Sequence, residues 1–321
     1  MLRAALQNGL YIIGNGFDLH HNLNTSYGAF ATWLKDNHSS LYDRCLKYLM
    51  GEDPTLWNEF ENCFSLIDYD TIEDEASDFL QSYATENWSD SYHHDYQYEI
   101  EQITKDLSIN LIQAFTEWIT FVDKQIPNSF CVTSKIRLNP NAHFLTFNYT
   151  STLAKIYNIP TEQTKHIHGS CFHGGIVLGH AYEIAPNQFT SQIDEDTDVR
   201  IAEGYSLIQD YFDRTLKPSQ SIIETNAGYF KELQYASKVF VLGHSMSEVD
   251  KPYFDKISAV TRDIPWIVSY YEEESKDYLV RPEKPVSAST PHFPPAVGLS
   301  LCRGAETPRA QKTLRFSAST S

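Results

Sequence analysis

Gly9-Leu10-Tyr11-Ile12-Ile13-Gly14-Asn15-Gly16 is a short apolar run closed by glycines, the pattern of a buried strand whose C-terminal end turns directly into the next element. From about Ser26 to Ile126 the period changes. Ile100, Ile103, Leu107, Leu111, Phe115, Trp118 and Val122 recur every three or four residues, which predicts a block of about four helices. Further apolar runs predict strands over 143–147 (HFLTF), 176–178 (IVL), 238–242 (KVFVL) and 266–270 (WIVSY), with a helix starting at Ser151. Strands that are apolar throughout and alternate with helices belong to a mainly parallel sheet covered on both faces. The expectation is therefore a doubly wound α/β fold with a large all-helical insertion after the first strand. Residues 1–25 and 140–280 form the core, 26–139 the helical insertion, and 281–321 a disordered or weakly packed tail, which holds six of the chain's 14 prolines and no periodicity.

The 321 residues suffice for one large domain or two ordinary ones, and 41% hydrophobic with 13% aromatic residues is the composition of a folded protein. The formal charge is −17, and no Lys/Arg run is long enough to neutralise a row of phosphates, so nucleic acid is not expected as a direct ligand. Five scattered cysteines, Cys45, Cys63, Cys131, Cys171 and Cys302, include no C-x-x-C, which fits neither a disulfide framework nor a structural zinc site. No cleavable leader is legible at the N-terminus, and no apolar run approaches the roughly 20 residues that span a bilayer. The expectation is a cytoplasmic protein without membrane contact.

Four motifs stand out, several of them at predicted strand ends, where loops of a parallel sheet diverge into a crevice. Gly14-Asn15-Gly16-Phe17-Asp18 lets backbone approach a pyrophosphate, or simply makes a tight turn; position 19 is Leu, so the third glycine of a dinucleotide fingerprint is missing. In Thr146-Phe147-Asn148-Tyr149-Thr150 the Asn148 amide can hold a ribose hydroxyl or a water, or serve a local turn. In His166-Ile167-His168-Gly169-Ser170, alternation puts both imidazoles on one face. His168 beside Gly169 is placed to act as a general base, while His166 reads equally as a half-buried hydrogen-bonded histidine. Val241-Leu242-Gly243-His244-Ser245, followed by Glu248 and Asp250, sets a hydroxyl where a phosphate or a helix cap would want one.

In order and type these motifs resemble the Rossmann-like NAD-binding fold of sirtuins: a glycine turn (GNGFD), an Asn strand end (TFNYT), a His-Gly (HIHGS) and a late Gly-Ser strand end (VLGHS). Their wording resembles the AbiH family of bacterial abortive-infection proteins, carried by YIIGNGFDL, FNYTSTL, HIHG, the LGH ending at His180, LGHSMSEVDKPYF, and Trp57-Asn58-Glu59-Phe60-Glu61, over about residues 10 to 271. The resemblance implies NAD as a substrate, hydrolysed to nicotinamide and ADP-ribose without a metal. Asn148 and His168 would be catalytic, and Gly14, Asn15, Gly16, Asp18, Gly243 and Ser245 would hold the dinucleotide. Thr150 stands where sirtuins often have Asp, and Cys171 stands alone where deacylases have C-x-x-C, so hydrolysis is expected over deacylation. A defence role further implies a phage-derived or host activator, and a homo-oligomer or defence-complex partner, with the insertion or oligomer contacts restraining the resting pocket.

Two other functions compete. Asp18, His20, His21, His166, His168, His173, His180 and His244 could supply a metal-dependent phosphoesterase or nuclease, although no D-x-H lies on the first strand and the adjacent His20 and His21 diverge in an extended backbone. A non-catalytic NAD or ADP-ribose sensor would use the same binding glycines without turnover.

Overall fold

The computed structural model describes residues 1–83, 94–127, 135–185, 188–270 and 315–316. Contacts divide the chain into two units: Met1–Thr25, Val122–Gly175 and Pro218–Ser321 form the first, and Ser26–Phe121 with Ile176–Lys217 the second.

The first unit is built on β1 (Leu10–Ile13), β2 (His143–Thr146), β3 (Thr164–His166), β4 (Val239–Leu242) and β5 (Trp266–Tyr270), all parallel, in the spatial order β3-β2-β1-β4-β5. A two-residue β6 (Arg315–Phe316) pairs antiparallel with β5 at the edge. The remainder of the expected tail lies outside the described residues. This is a Rossmann-like order: β2 and β3 run out from one side of β1, β4 and β5 from the other, so the chain reverses direction between β1 and β4. The period of two in β1 explains its uniformly apolar sequence. Leu10 and Ile12 pack with Val239, Val241, Phe230 and Tyr253 on one face, and Tyr11 and Ile13 with Phe17, Phe144 and Leu242 on the other. Tyr11 stacks between Phe144 and Phe240 at ring distances of 5.0 and 4.5 Å.

The expected strand over 176–178 does not form. This stretch belongs to the second unit, where His180 N–H donates to Thr215 O (3.0 Å) and Lys217 N–H donates to His180 O (2.8 Å). Gly179 permits that approach, since a Cβ there would sit 2.0 Å from the Thr215 carbonyl oxygen. The third strand is instead Thr-Lys-His at 164–166, half-buried at the sheet edge and too polar to read as an apolar run.

The second unit is helical. Every position of the predicted series from Ile100 to Trp118 is buried here, and so is its last member, Val122, which begins a segment of the first unit. Its steps of four from Ile103 to Leu107, Leu111 and Phe115 exceed 3.6 residues per turn, and a π-helical segment over Asp106–Asn110 absorbs the excess, keeping those side chains on one face. Gly204 lets the helix Val199–Thr215 lie close to Asp95–Lys105; a Cβ there would sit 2.8 Å from the Tyr96 ring. The LGH and WNEFE motifs both fall in this unit. Glu61 accepts from the Tyr27 hydroxyl (2.5 Å) and from Lys217 (2.8 Å), whose side chain is only 1% exposed.

Candidate functional site

The parallel register brings four strand ends level. Ile13 pairs with both Thr146 and Leu242, and Thr146 pairs with His166. Gly14, Phe147, Ile167 and Gly243 therefore leave the sheet side by side, and Asn148 and His168 stand at matching positions two residues past a paired couple. Sequence reasoning placed its motifs on this edge, and Gly14, Asn148, His168 and Gly243 do lie there.

The glycines meet one another. Gly243 takes φ +63°, and a Cβ on it would lie 2.2 Å from the Phe17 nitrogen; a Cβ on Gly14 would lie 2.6 Å from the His244 Cα, and one on Gly16 2.9 Å from the Gly243 Cα. Gly16 N–H donates to Gly243 O at 2.7 Å. All three thus serve a close backbone crossing between the β1 turn and the end of β4. Asn15 and Ser245 are exposed, and Asn15 Nδ2 donates to Thr25 O at 2.9 Å.

Asn148 is buried and held on three sides. Its N–H donates to Thr146 Oγ1 (3.0 Å), its Nδ2 to Gly14 O (3.1 Å), and its carbonyl accepts from His166 Nδ1 (2.9 Å). His166 is therefore the Nδ1–H tautomer when neutral, and burial holds its imidazole below the ordinary value despite that bond. Asp18, 1% exposed, takes one hydrogen bond at Oδ2 from Thr150 Oγ1 (2.6 Å), whereas Oδ1 has no hydrogen-bond partner among the described residues. Burial pushes this carboxyl up to about 6, although Thr150, Thr152 and Asn148 each favour its ionised form. Thr150 thus contacts Asp18. Beside these residues a cleft of about 190 Å³ is lined by Thr150, Ser151, His166, Gly169, Ser170 and His173, among others.

His168 is 2% exposed, with its ring edge-on to Phe147 (5.1 Å) and near Tyr253 (5.1 Å). Its Nε2 lies 3.7 Å from Asp250 Oδ1, and the other oxygen of Asp250 lies 3.4 Å from His244 Nε2. His244 Nδ1 accepts the Met246 N–H at 2.9 Å, and its ring stands edge-on to Phe147 at 4.4 Å. Sequence reasoning gave Asp250 no role and considered His244 only as a metal donor. The available signal was an Asp before the Lys-Pro that opens the helix Lys251–Val260, with a His directly after the glycine of a strand end.

A family model described as Bacteriophage abortive infection AbiH matches residues 10–270. The chain belongs to the AbiH family. Membership places it among proteins of bacteriophage abortive infection, and the match takes in every residue of the edge just described. No curated protein and no solved structure matches the chain. Within this AbiH chain, among the described residues, no helix is long and apolar enough to cross a membrane. Nor, among those residues, does any group of three or more His, Cys, Asp or Glu have an arrangement that could hold a metal ion.

Proposed function

We propose that this AbiH protein hydrolyses NAD at its nicotinamide–ribose bond. The observation that carries the reading is the matched placement of Asn148 and His168, each two residues past the paired ends of β2 and β3, next to the chain reversal between β1 and β4. Asp18 Oδ1 supports the fit: a buried acceptor without a partner among the described residues is the kind of group that a ligand hydroxyl satisfies. The neighbouring cleft, about 190 Å³ and lined by Thr150, His166 and Gly169 and not by Asn148 or His168, is of a size for one ring of the dinucleotide. It falls short of the roughly 300–1,000 Å³ of sites that enclose a whole small ligand. A restrained resting form, opened by an activator of phage or host origin, accords with that volume.

In the reaction the C1′–N bond breaks, its electron pair leaves with nicotinamide, and the ribose carries an oxocarbenium-like charge. Water forms the new C1′–O bond and His168 takes its proton, giving nicotinamide, ADP-ribose and one proton. One amide hydrogen of Asn148 is engaged with Gly14 O, which fixes the amide plane; its Oδ1 and second hydrogen orient the water or the ribose hydroxyls. The test is nicotinamide release from NAD by the purified protein. Wild type is expected to release it, and His168→Ala and Asn148→Ala to lose about 10²- to 10⁴-fold, the usual contribution of a positioned base. Bound NAD without release in wild type would turn the reading to a sensor, and neither binding nor release would overturn it.

A further inference from the structure

His168 has a carboxylate behind it, and that carboxylate has a second imidazole behind it. Three facts fix the order of the chain. Met246, a non-glycine residue, takes φ +53°, an unfavourable left-handed conformation that persists where surroundings enforce it. In that conformation its N–H donates to His244 Nδ1. The lone pair of Nδ1 is thereby engaged, so neutral His244 carries its proton on Nε2, the atom 3.4 Å from Asp250 Oδ2. Asp250 Oδ1 faces His168 Nε2 at 3.7 Å. Both separations exceed a good hydrogen bond, as those of catalytic groups without substrate commonly do. Phe147 stands edge-on to both imidazoles and so sets their planes.

We propose that Asp250 and His244 are positioning residues for His168: His244 donates Nε2–H to one oxygen of Asp250, and the other oxygen holds His168 with its own proton on Nε2. The second ring nitrogen of His168, Nδ1, is then the base. The inference rests, for its chemistry, on the NAD-hydrolase reading. As the water oxygen bonds to C1′ and the C1′–N pair departs with nicotinamide, Nδ1 of His168 accepts the water proton. Asp250 stabilises the resulting imidazolium without itself taking the proton. A purely structural role would need none of this order, because any apolar or amide side chain of similar volume could fill the space beneath Phe147.

The experiment reads the ring nitrogens directly. Long-range proton–nitrogen NMR correlation distinguishes Nδ1–H from Nε2–H tautomers, with the signals assigned through His168→Gln and His244→Gln. In wild type both rings are expected as Nε2–H. In Asp250→Asn, His168 is expected to lose that single tautomer while His244 keeps it through Met246. In parallel, kcat for nicotinamide release is expected to fall by up to about 10⁴-fold, the scale seen when the carboxylate behind a base histidine becomes an amide. KM should stay close to wild type. His244→Gln, whose amide can donate to Asp250, should retain most of the activity, and His244→Leu should not. A His168 tautomer unchanged in Asp250→Asn overturns the proposal, whatever the activity. If wild type releases no nicotinamide yet the tautomer shifts as described, the hydrolase reading fails and the positioning of His168 by Asp250 stands.

Discussion

Asp18→Asn separates the energetic state of the site from its chemistry. The Asp18 carboxyl is driven from an ordinary 3.8 to about 6 by burial. Each pKa unit is worth about 1.4 kcal/mol, so at neutral pH the ionised native state is about 3 kcal/mol less stable than an unperturbed carboxylate would leave it. A folded pKa above the unfolded one means that the native state binds more protons between pH 3.8 and 6. Stability from this group is therefore fully present below 3.8 and lost as pH rises through 6. Asparagine removes the titration. Its NH₂ would lie where Oδ1 has no partner among the described residues, an unpaired group costing about 1–3 kcal/mol at any pH, so the net sign at pH 7.5 depends on that offset. The change with pH does not. Between pH 7.5 and 4, the stability difference between variant and wild type should shift by about 2–3 kcal/mol against the variant. His21 and His143, held by burial at about 4, titrate in the same window with the opposite slope, but do so in both proteins and cancel. Urea unfolding at the two pH values measures the shift. A difference that is the same at pH 7.5 and pH 4 would refute the desolvated carboxylate. Because Asp18 is also the acceptor proposed for a ligand hydroxyl, the variant should bind NAD more weakly by calorimetry even where it is the more stable protein.

Gly243→Ala combines φ +63° with a Cβ 2.2 Å from the Phe17 nitrogen, and should cost at least about 3 kcal/mol in urea unfolding. Gly28→Ala, in the helix Tyr27–Asn37 with nothing within 4 Å of the new Cβ, should instead gain about 0.5–1 kcal/mol. Lys217→Met should cost about 3 kcal/mol by leaving the half-buried Glu61 without its cation, and Lys217→Met with Glu61→Gln should recover much of that loss in thermal unfolding. His143 is neutral in the folded state, so its contribution is present above 6.5 and lost as pH falls toward 4; His143→Gln should flatten the acid limb of the stability curve by about 3 kcal/mol.

The sheet was legible where its strands are apolar throughout. LYII, HFLT and VFVL are buried almost completely, WIVSY keeps the same apolar run although Trp266, Ile267 and Val268 are half-buried, and all four form strands. β3 was not legible as an apolar run because an edge strand needs less apolar cover, and Thr-Lys-His offers none. Ile176-Val177-Leu178 misled for the converse reason. Three apolar residues before a glycine satisfy the strand pattern, and only the remote partners Thr215 and Lys217 reveal that the backbone hydrogen bonds go elsewhere. The place of the site was readable because the GNGFD, TFNYT and VLGHS motifs each close a legible strand and parallel strands end on one edge; that HIHGS joins them follows only from β3. The pairing of Asp250 with His168 and His244 was not, since it depends on how the turn after β4 folds back, which Met246 at positive φ decides.

The glycines show why a correct location does not by itself identify a ligand. Gly14, Gly16 and Gly243 are required by backbone crossing before any pyrophosphate is considered, because each Cβ would fall within 3 Å of another backbone atom. The Gly16 amide, moreover, is already bonded to Gly243 O. Loss of NAD turnover on substituting any of them would follow from a displaced β1 turn as readily as from a lost phosphate contact. The discriminating residues are those whose chemistry exceeds what packing needs. They are Asn148, whose amide keeps one donor and one acceptor beyond its bond to Gly14; Asp18, with Oδ1 unmatched among the described residues; and His168, an imidazole facing a carboxylate where an apolar ring would pack as well. Side-chain changes at Asp18 and His168 remove no bond to the three glycines, so a selective effect on NAD there bears on chemistry, whereas Asn148→Ala also removes the bond to Gly14 O.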